Sequence, residues 1–171
     1  ERILLDFRDI LFEIIPELEP MNGFEQHGEV HAYDVYGHTV HSVVSIAAEP
    51  ELRMAMLLHD SGKPACFTPG EGGTSLFHGH AAAGEEIALK VLRELRFGNR
   101  FTQEVSTLVR YHDAQLFDNP KALRIWLGKL GEPLFRKLLL VKRADTLSLA
   151  PKYFSRLRQI DELEAQADKL I

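Results

Sequence analysis

Apolar residues at Ile3, Leu4, Phe7, Ile10, Leu11, Ile14 and Ile15 recur at helical spacing, and Pro16 closes that segment. Residues 16–33 hold two prolines and two glycines among scattered polar groups, which predicts a long irregular loop. A second helix is predicted from about Asp34 to Ala48, buried through Val35, Val40, Val43, Val44, Ile46 and Ala47. A third carries Leu52, Met54, Ala55, Met56, Leu57 and Leu58, apolar almost without a break, and a helix apolar nearly all round is a buried one. Pro69-Gly70-Glu71-Gly72-Gly73 separates Ala65-Cys66-Phe67 from Ser75-Leu76-Phe77 and reads as the turn of a short β-hairpin near 65–78. Further helices are predicted near 80–96, 101–113, 120–130, 133–149 and 152–170. The class is all-α, with that one hairpin.

The chain has 171 residues, enough for one sizeable core. Its net charge of −5, with histidine neutral, argues against a general nucleic-acid clamp. The single cysteine, Cys66, excludes an intrachain disulfide and fits a reducing cytoplasm. No apolar run reaches membrane-spanning length, so no membrane partner is expected. The chain opens at Glu1 directly into a helical pattern, which reads as a piece of a longer protein with domains upstream.

The chemistry starts at His59-Asp60. The pair ends the buried third helix, where Gly62 and Pro64 are expected to stop it. An imidazole beside a carboxylate in such a place needs something to balance the charge, and a divalent metal does so: histidine gives a neutral nitrogen, aspartate a hard anionic oxygen. Helical phase brings other polar groups inward. His80 shares a face with Ala83, Gly84 and Ile87; His112 follows Leu108 and Val109; Asp145 follows Leu138 and Val141; His38 opens the buried second helix. A lone histidine on an apolar face is more often a hydrogen-bonded core residue, and a lone buried aspartate more often a cap or ion-pair partner. Several together in one small domain favour a metal. His41 lies one turn beyond His38 on the same helix and remains its rival. Arg110 and Arg143 point away from the apolar faces.

The run His59-Asp60-Ser61-Gly62-Lys63, with His38 before it and Asp145 after it, resembles the HD-domain superfamily of metal-dependent phosphohydrolases. Tyr33-Asp34-Val35-Tyr36-Gly37-His38-Thr39, Phe77-His78-Gly79-His80-Ala81, Leu108-Val109-Arg110-Tyr111-His112-Asp113 and Lys142-Arg143-Ala144-Asp145 are similar to the HD portion of bacterial tRNA nucleotidyltransferases, over about residues 5–150. The resemblance implies an HD-domain helical bundle over 1–171: an N-terminal helix and loop (1–32), a metal-binding core (33–149) and a C-terminal helix (150–171). It implies that His38, His59, Asp60 and Asp145 hold one divalent transition ion (Mn, Fe, Co, Ni or Zn) and that His80 and His112 hold a second, with Asp60 bridging. The nucleotidyl-transfer motifs of that family, an Asp-x-Asp and a Gly-Ser, are absent, so only the HD portion carries over. tRNA would then be reached through a domain upstream.

Such a centre suits hydrolysis of phosphate esters, nucleotides or 2′,3′-cyclic phosphates foremost, since metals activate water and neutralise phosphate charge. Asp60 and Lys63 are the candidate catalytic residues, Lys63 as a phosphate anchor. His31 is a candidate substrate contact from the loop before the second helix, together with His27; His78 reads as a structural residue of the hairpin. The rival reading is a non-catalytic accessory domain with structural metals. A cyclic-dinucleotide phosphodiesterase is disfavoured because no Gly-Tyr-Pro follows His112, and a guanosine tetraphosphate hydrolase matches the surrounding text less well.

Overall fold

Local devices mark the starts of several helices. A computed structural model describes residues 1–27 and 33–171. Asp34 caps α3 (Val35–Val44): one carboxylate oxygen accepts from Gly37 N at 2.6 Å, and the other accepts from Gly23 N at 2.6 Å, tying the incoming loop to the helix. Proline opens α4 (Pro50–Leu58), where a missing N–H costs nothing. α7 (Pro120–Leu130) combines that proline with an Asn119 cap accepting from Ala122 N at 2.9 Å. Between them run α5 (His80–Glu94) and α6 (Asn99–Tyr111), followed by α8 (Glu132–Leu147) and α9 (Ser155–Asp168).

α3, α4, α5, α6 and α8 enclose the main core, with Leu52, Met56, Leu58, Leu92, Leu108 and Leu138 shut off from solvent. A second core joins α7, α8 and α9 through Leu123, Phe135, Leu139, Ile160 and Leu163. The all-α class holds, and the helices expected near 80–96, 101–113, 120–130, 133–149 and 152–170 are all present.

Three expectations change. The first helix is broken into α1 (Arg2–Asp6) and α2 (Arg8–Ile14) at Phe7 (φ −119°, ψ 23°). The Tyr36 hydroxyl donates to Leu4 O at 2.8 Å and competes for the acceptor that an unbroken helix would offer to residue 8. The predicted loop after Pro16 begins as a 3₁₀ turn, Pro16–Met21, whose Leu18 and Met21 enter the core. The hairpin lies within the expected span, but its first strand starts later: β1 (Thr68–Pro69) pairs antiparallel with β2 (Ser75–Leu76), because Pro64 starts a 3₁₀ turn over Pro64–Cys66. Ser75 N also donates to His27 O at 2.9 Å, so the hairpin pairs with the loop from residue 27.

Candidate metal centre

Five elements converge on one buried point. α3 supplies His38, the turn after α4 supplies His59, Asp60 and Lys63, the first turn of α5 supplies His80, the end of α6 supplies His112, and the last turns of α8 supply Asp145. His38, His59, Asp60 and His112 are all at most 3% exposed. The rivalry in α3 is resolved geometrically: His38 turns inward, while His41 stacks on Tyr33 with ring centroids 4.1 Å apart.

The histidines share one orientation. Nδ1 of His59 donates to Met56 O at 2.7 Å, that of His80 to Phe77 O at 2.8 Å and that of His112 to Val109 O at 2.7 Å, each three residues back. His38 Nδ1 lies 3.4 Å from Ser148 O. A carbonyl demands a proton on Nδ1, so in the neutral rings of His59, His80 and His112 Nε2 presents a lone pair to the centre. The Nε2 atoms of His80 and His112 are 3.2 Å apart, and those of His38 and His59 3.3 Å apart. Facing lone pairs at that distance repel unless a cation lies between them. Ligands bound about 2.1 Å from one ion, at tetrahedral or octahedral angles, stand roughly 3.0–3.4 Å from each other. The chain's donors fit that requirement.

Asp60 joins the two pairs. Its Oδ2 lies 3.2 Å from His59 Nε2 and 3.6 Å from His38 Nε2, and its Oδ1 lies 3.6 Å from both His80 Nε2 and His112 Nε2. The donors of His38, His59 and Asp60 lie within 4.8 Å of one another, as do those of Asp60, His80 and His112. Asp145 Oδ1 adds a contact of 2.9 Å to His38 Nε2 and 3.7 Å to His59 Nε2. Lys63 Nζ stands 2.7 Å from Asp60 Oδ2, at an angle that leaves that buried oxygen without a hydrogen-bond donor, and donates to Gln26 Oε1 at 2.6 Å. Lys63 is itself buried and 5.4 Å above the Phe77 ring.

A cavity of about 430 Å³ opens beside the centre and reaches Asp60, Lys63, His80, His112 and Asp145. Leu76, Phe77 and Leu149 give it an apolar wall, and Arg110 and Arg156 also line it. The HD domain family model matches residues 35–150, a span that holds every residue of this cluster except Gln26. The chain belongs to the HD domain family. It is 36% identical over 152 residues to a CC-adding tRNA nucleotidyltransferase of Thermus thermophilus, across 85% of this chain and 34% of that protein. It is 34% identical over 150 residues to an A-adding tRNA nucleotidyltransferase of Deinococcus radiodurans, across 84% of this chain and 34% of that protein. The chain thus spans about a third of the length of these curated relatives.

His31, one of the sequence candidates, lies outside the described residues. His27 is exposed, and its backbone pairs with Ser75. His78 is exposed on the cavity lining. Arg143 leaves the centre to pair with Asp161 and Glu164 on α9, as phase suggests, whereas Arg110 does line the cavity. Sequence reasoning missed Gln26 and Arg156. Neither sits in a periodic segment facing the core, and both reach the site only through folding of distant chain.

Gly62 has a different task from the helix stop expected of it. Its φ is not positive; instead, a Cβ there would meet His80 O at 2.3 Å and Gly84 N at 2.7 Å. Glycine is required because α5 begins against this turn. Gly62→Ala should lower stability by about 1–3 kcal/mol, measured by urea unfolding, as overpacking does. It should also displace His80, whose backbone carbonyl the new Cβ would meet.

With protons rather than metal in the centre, the two halves differ. Burial pushes His59 down, but the Asp60 charge and the carboxylate oxygens of Asp145 and Asp60 beside its ring carry it up to about 10. Burial raises both carboxyls, yet the His59 and Lys63 charges hold Asp60 well below the usual carboxylate range, and His38 and His59 beside it hold Asp145 there too. Burial moves His80 the other way, downward. A raised histidine contributes stability that is complete below 6.5 and lost as pH rises through about 10; depressed carboxylates contribute above 3.8 and lose it as pH falls. EDTA-treated protein should therefore show a urea midpoint that falls as pH rises from 6.5 toward about 10, and falls again as pH drops below 3.8. A midpoint constant across that alkaline range would contradict the proton assignment.

Proposed function

We propose that this HD domain is a metal-dependent phosphohydrolase acting on nucleotide phosphate esters, 2′,3′-cyclic phosphates among them. The observation that carries the reading is the division of Asp60: one oxygen faces His38 and His59, the other faces His80 and His112, and the cavity opens beside both. His38, His59, Asp60 and Asp145 would hold one divalent transition ion, and Asp60, His80 and His112 a second. Imidazole with carboxylate suits Mn, Fe, Co, Ni or Zn.

When bound, such ions supply a nucleophile near neutral pH and neutralise charge on the phosphate. The chain's residues do the rest. The carbonyls of Met56, Phe77 and Val109 fix the imidazole tautomers. Lys63 holds Asp60 in its bridging position and presents its charge to the cavity that would receive a phosphate. The apolar wall of Leu76, Phe77 and Leu149 suits a nucleoside better than bare phosphate. No side-chain nucleophile is needed, and Cys66 does not line the cavity.

A second reading has its own support. The similarity to tRNA nucleotidyltransferases would fit an accessory domain with structural metals, in a protein that meets tRNA through other domains. The open cavity favours the hydrolase, since a structural site is closed on all sides.

The deciding experiment supplies Mn, Co or Ni to the purified chain and assays nucleotide monophosphates and 2′,3′-cyclic nucleotides. Metal-dependent turnover is expected; inactivity on the whole panel would favour the accessory reading. Asp60→Ala should lose both ions, whereas His112→Ala should keep the ion near His38, so elemental analysis should find clearly less metal in the first variant than in the second. Equal metal in both would remove Asp60 as the bridge. Lys63→Ala should keep its metal, which then balances Asp60, and lose on the order of ten- to a hundredfold in turnover, roughly 1.5–3 kcal/mol for a charge-assisted contact. Cys66→Ser should match the parent in both respects.

A further inference from the structure

The cations around the centre are almost all committed. Lys63 faces Asp60 and Gln26, Lys142 Nζ donates to His112 O at 2.8 Å, Arg110 lies 3.5 Å from Glu85, and Arg143 pairs with Asp161. Arg156 is the exception. Among the described residues no carboxylate lies within ion-pair distance of it; its guanidinium rests 5.1 Å from the Tyr153 ring centroid.

Its position is distinctive. A second cavity, of about 360 Å³, shares His112, Asp113, Asp145 and Arg156 with the first. The two therefore adjoin beside the centre and together give more room than a single phosphate needs. Arg156 lines both. α9, which carries Arg156, is held against α8 by Ile160, Leu163 and the Arg143–Asp161 pair. It lies beyond residue 150, where the family model ends, so the contact is a property of this chain's C-terminal helix.

An uncommitted guanidinium lining a cavity is a planar fork matched to phosphate oxygens. Building on the proposed hydrolase, we propose that Arg156 binds a second phosphate, the one that precedes the reacting terminal phosphate along a strand. The preferred substrate is then the end of an oligoribonucleotide rather than a mononucleotide.

Equilibrium binding to the metal-loaded full chain tests this, by calorimetry with a diribonucleotide ending in a 3′-phosphate and the matching 3′-mononucleotide. The parent should bind the dinucleotide about tenfold more tightly, the scale of one charge-assisted contact. Arg156→Ala should abolish that advantage, and Arg156→Lys should restore only part of it, since lysine lacks the fork. Both variants should keep the parent's metal content and unfolding midpoint, because the side chain is exposed. An equal affinity of the parent for both probes, or an undiminished advantage in Arg156→Ala, would overturn the assignment while leaving the hydrolase reading intact. Failure of the parent to bind either probe would overturn both.

Discussion

A carboxylate shut away from water with its two oxygens turned to different imidazole pairs is the constraint on which this protein depends. Asp60 is 1% exposed, and its Oδ2 has no hydrogen-bond donor of its own. Left alone, such a charge would cost far more than the domain's net stability allows. Everything around it reads as compensation: Lys63 at ion-pair distance, four imidazoles within reach of the two oxygens, and helix ends placed to converge on it. The bundle is therefore shaped from its polar centre outward as much as from its apolar core inward.

The same constraint explains the tight backbone packing around the turn after α4. Gly62 lets α5 begin against that turn, and Gly84, one turn further on, faces the His59 carbonyl and the Val109 side chain. Two glycines thus permit three chain segments to approach closely enough for His59, His80 and His112 to share one carboxylate. Lys142, donating to the His112 carbonyl, anchors the end of α6 from the opposite side.

Much of this was legible in the chain. Helical phase alone turned His80, His112 and Asp145 inward, because each sits three or four residues from apolar positions that must be buried. Phase could not choose between His38 and His41; the Tyr33 ring took His41 and left His38 to the centre. Gly62 was read as a helix stop because sequence shows that glycine frees the backbone but not which neighbour comes near. The break at Phe7 depends on a hydroxyl from Tyr36, far along the chain. Arg156 carries no local signal at all: an arginine on an amphipathic helix looks like any solvated surface residue until the fold sets it on the lining of both cavities.

One consequence concerns which ions the centre can accept. The Nδ1 clamps of His59, His80 and His112 each reach a carbonyl three residues back, so the identity of the presented atom is written within a single helical turn. The spacing between those atoms is written elsewhere, in how closely whole helices approach. Donor chemistry and bite size are thus separately heritable. A lineage could retune the centre for a larger or smaller ion by swapping residues at helix crossings, with every histidine and aspartate left in place.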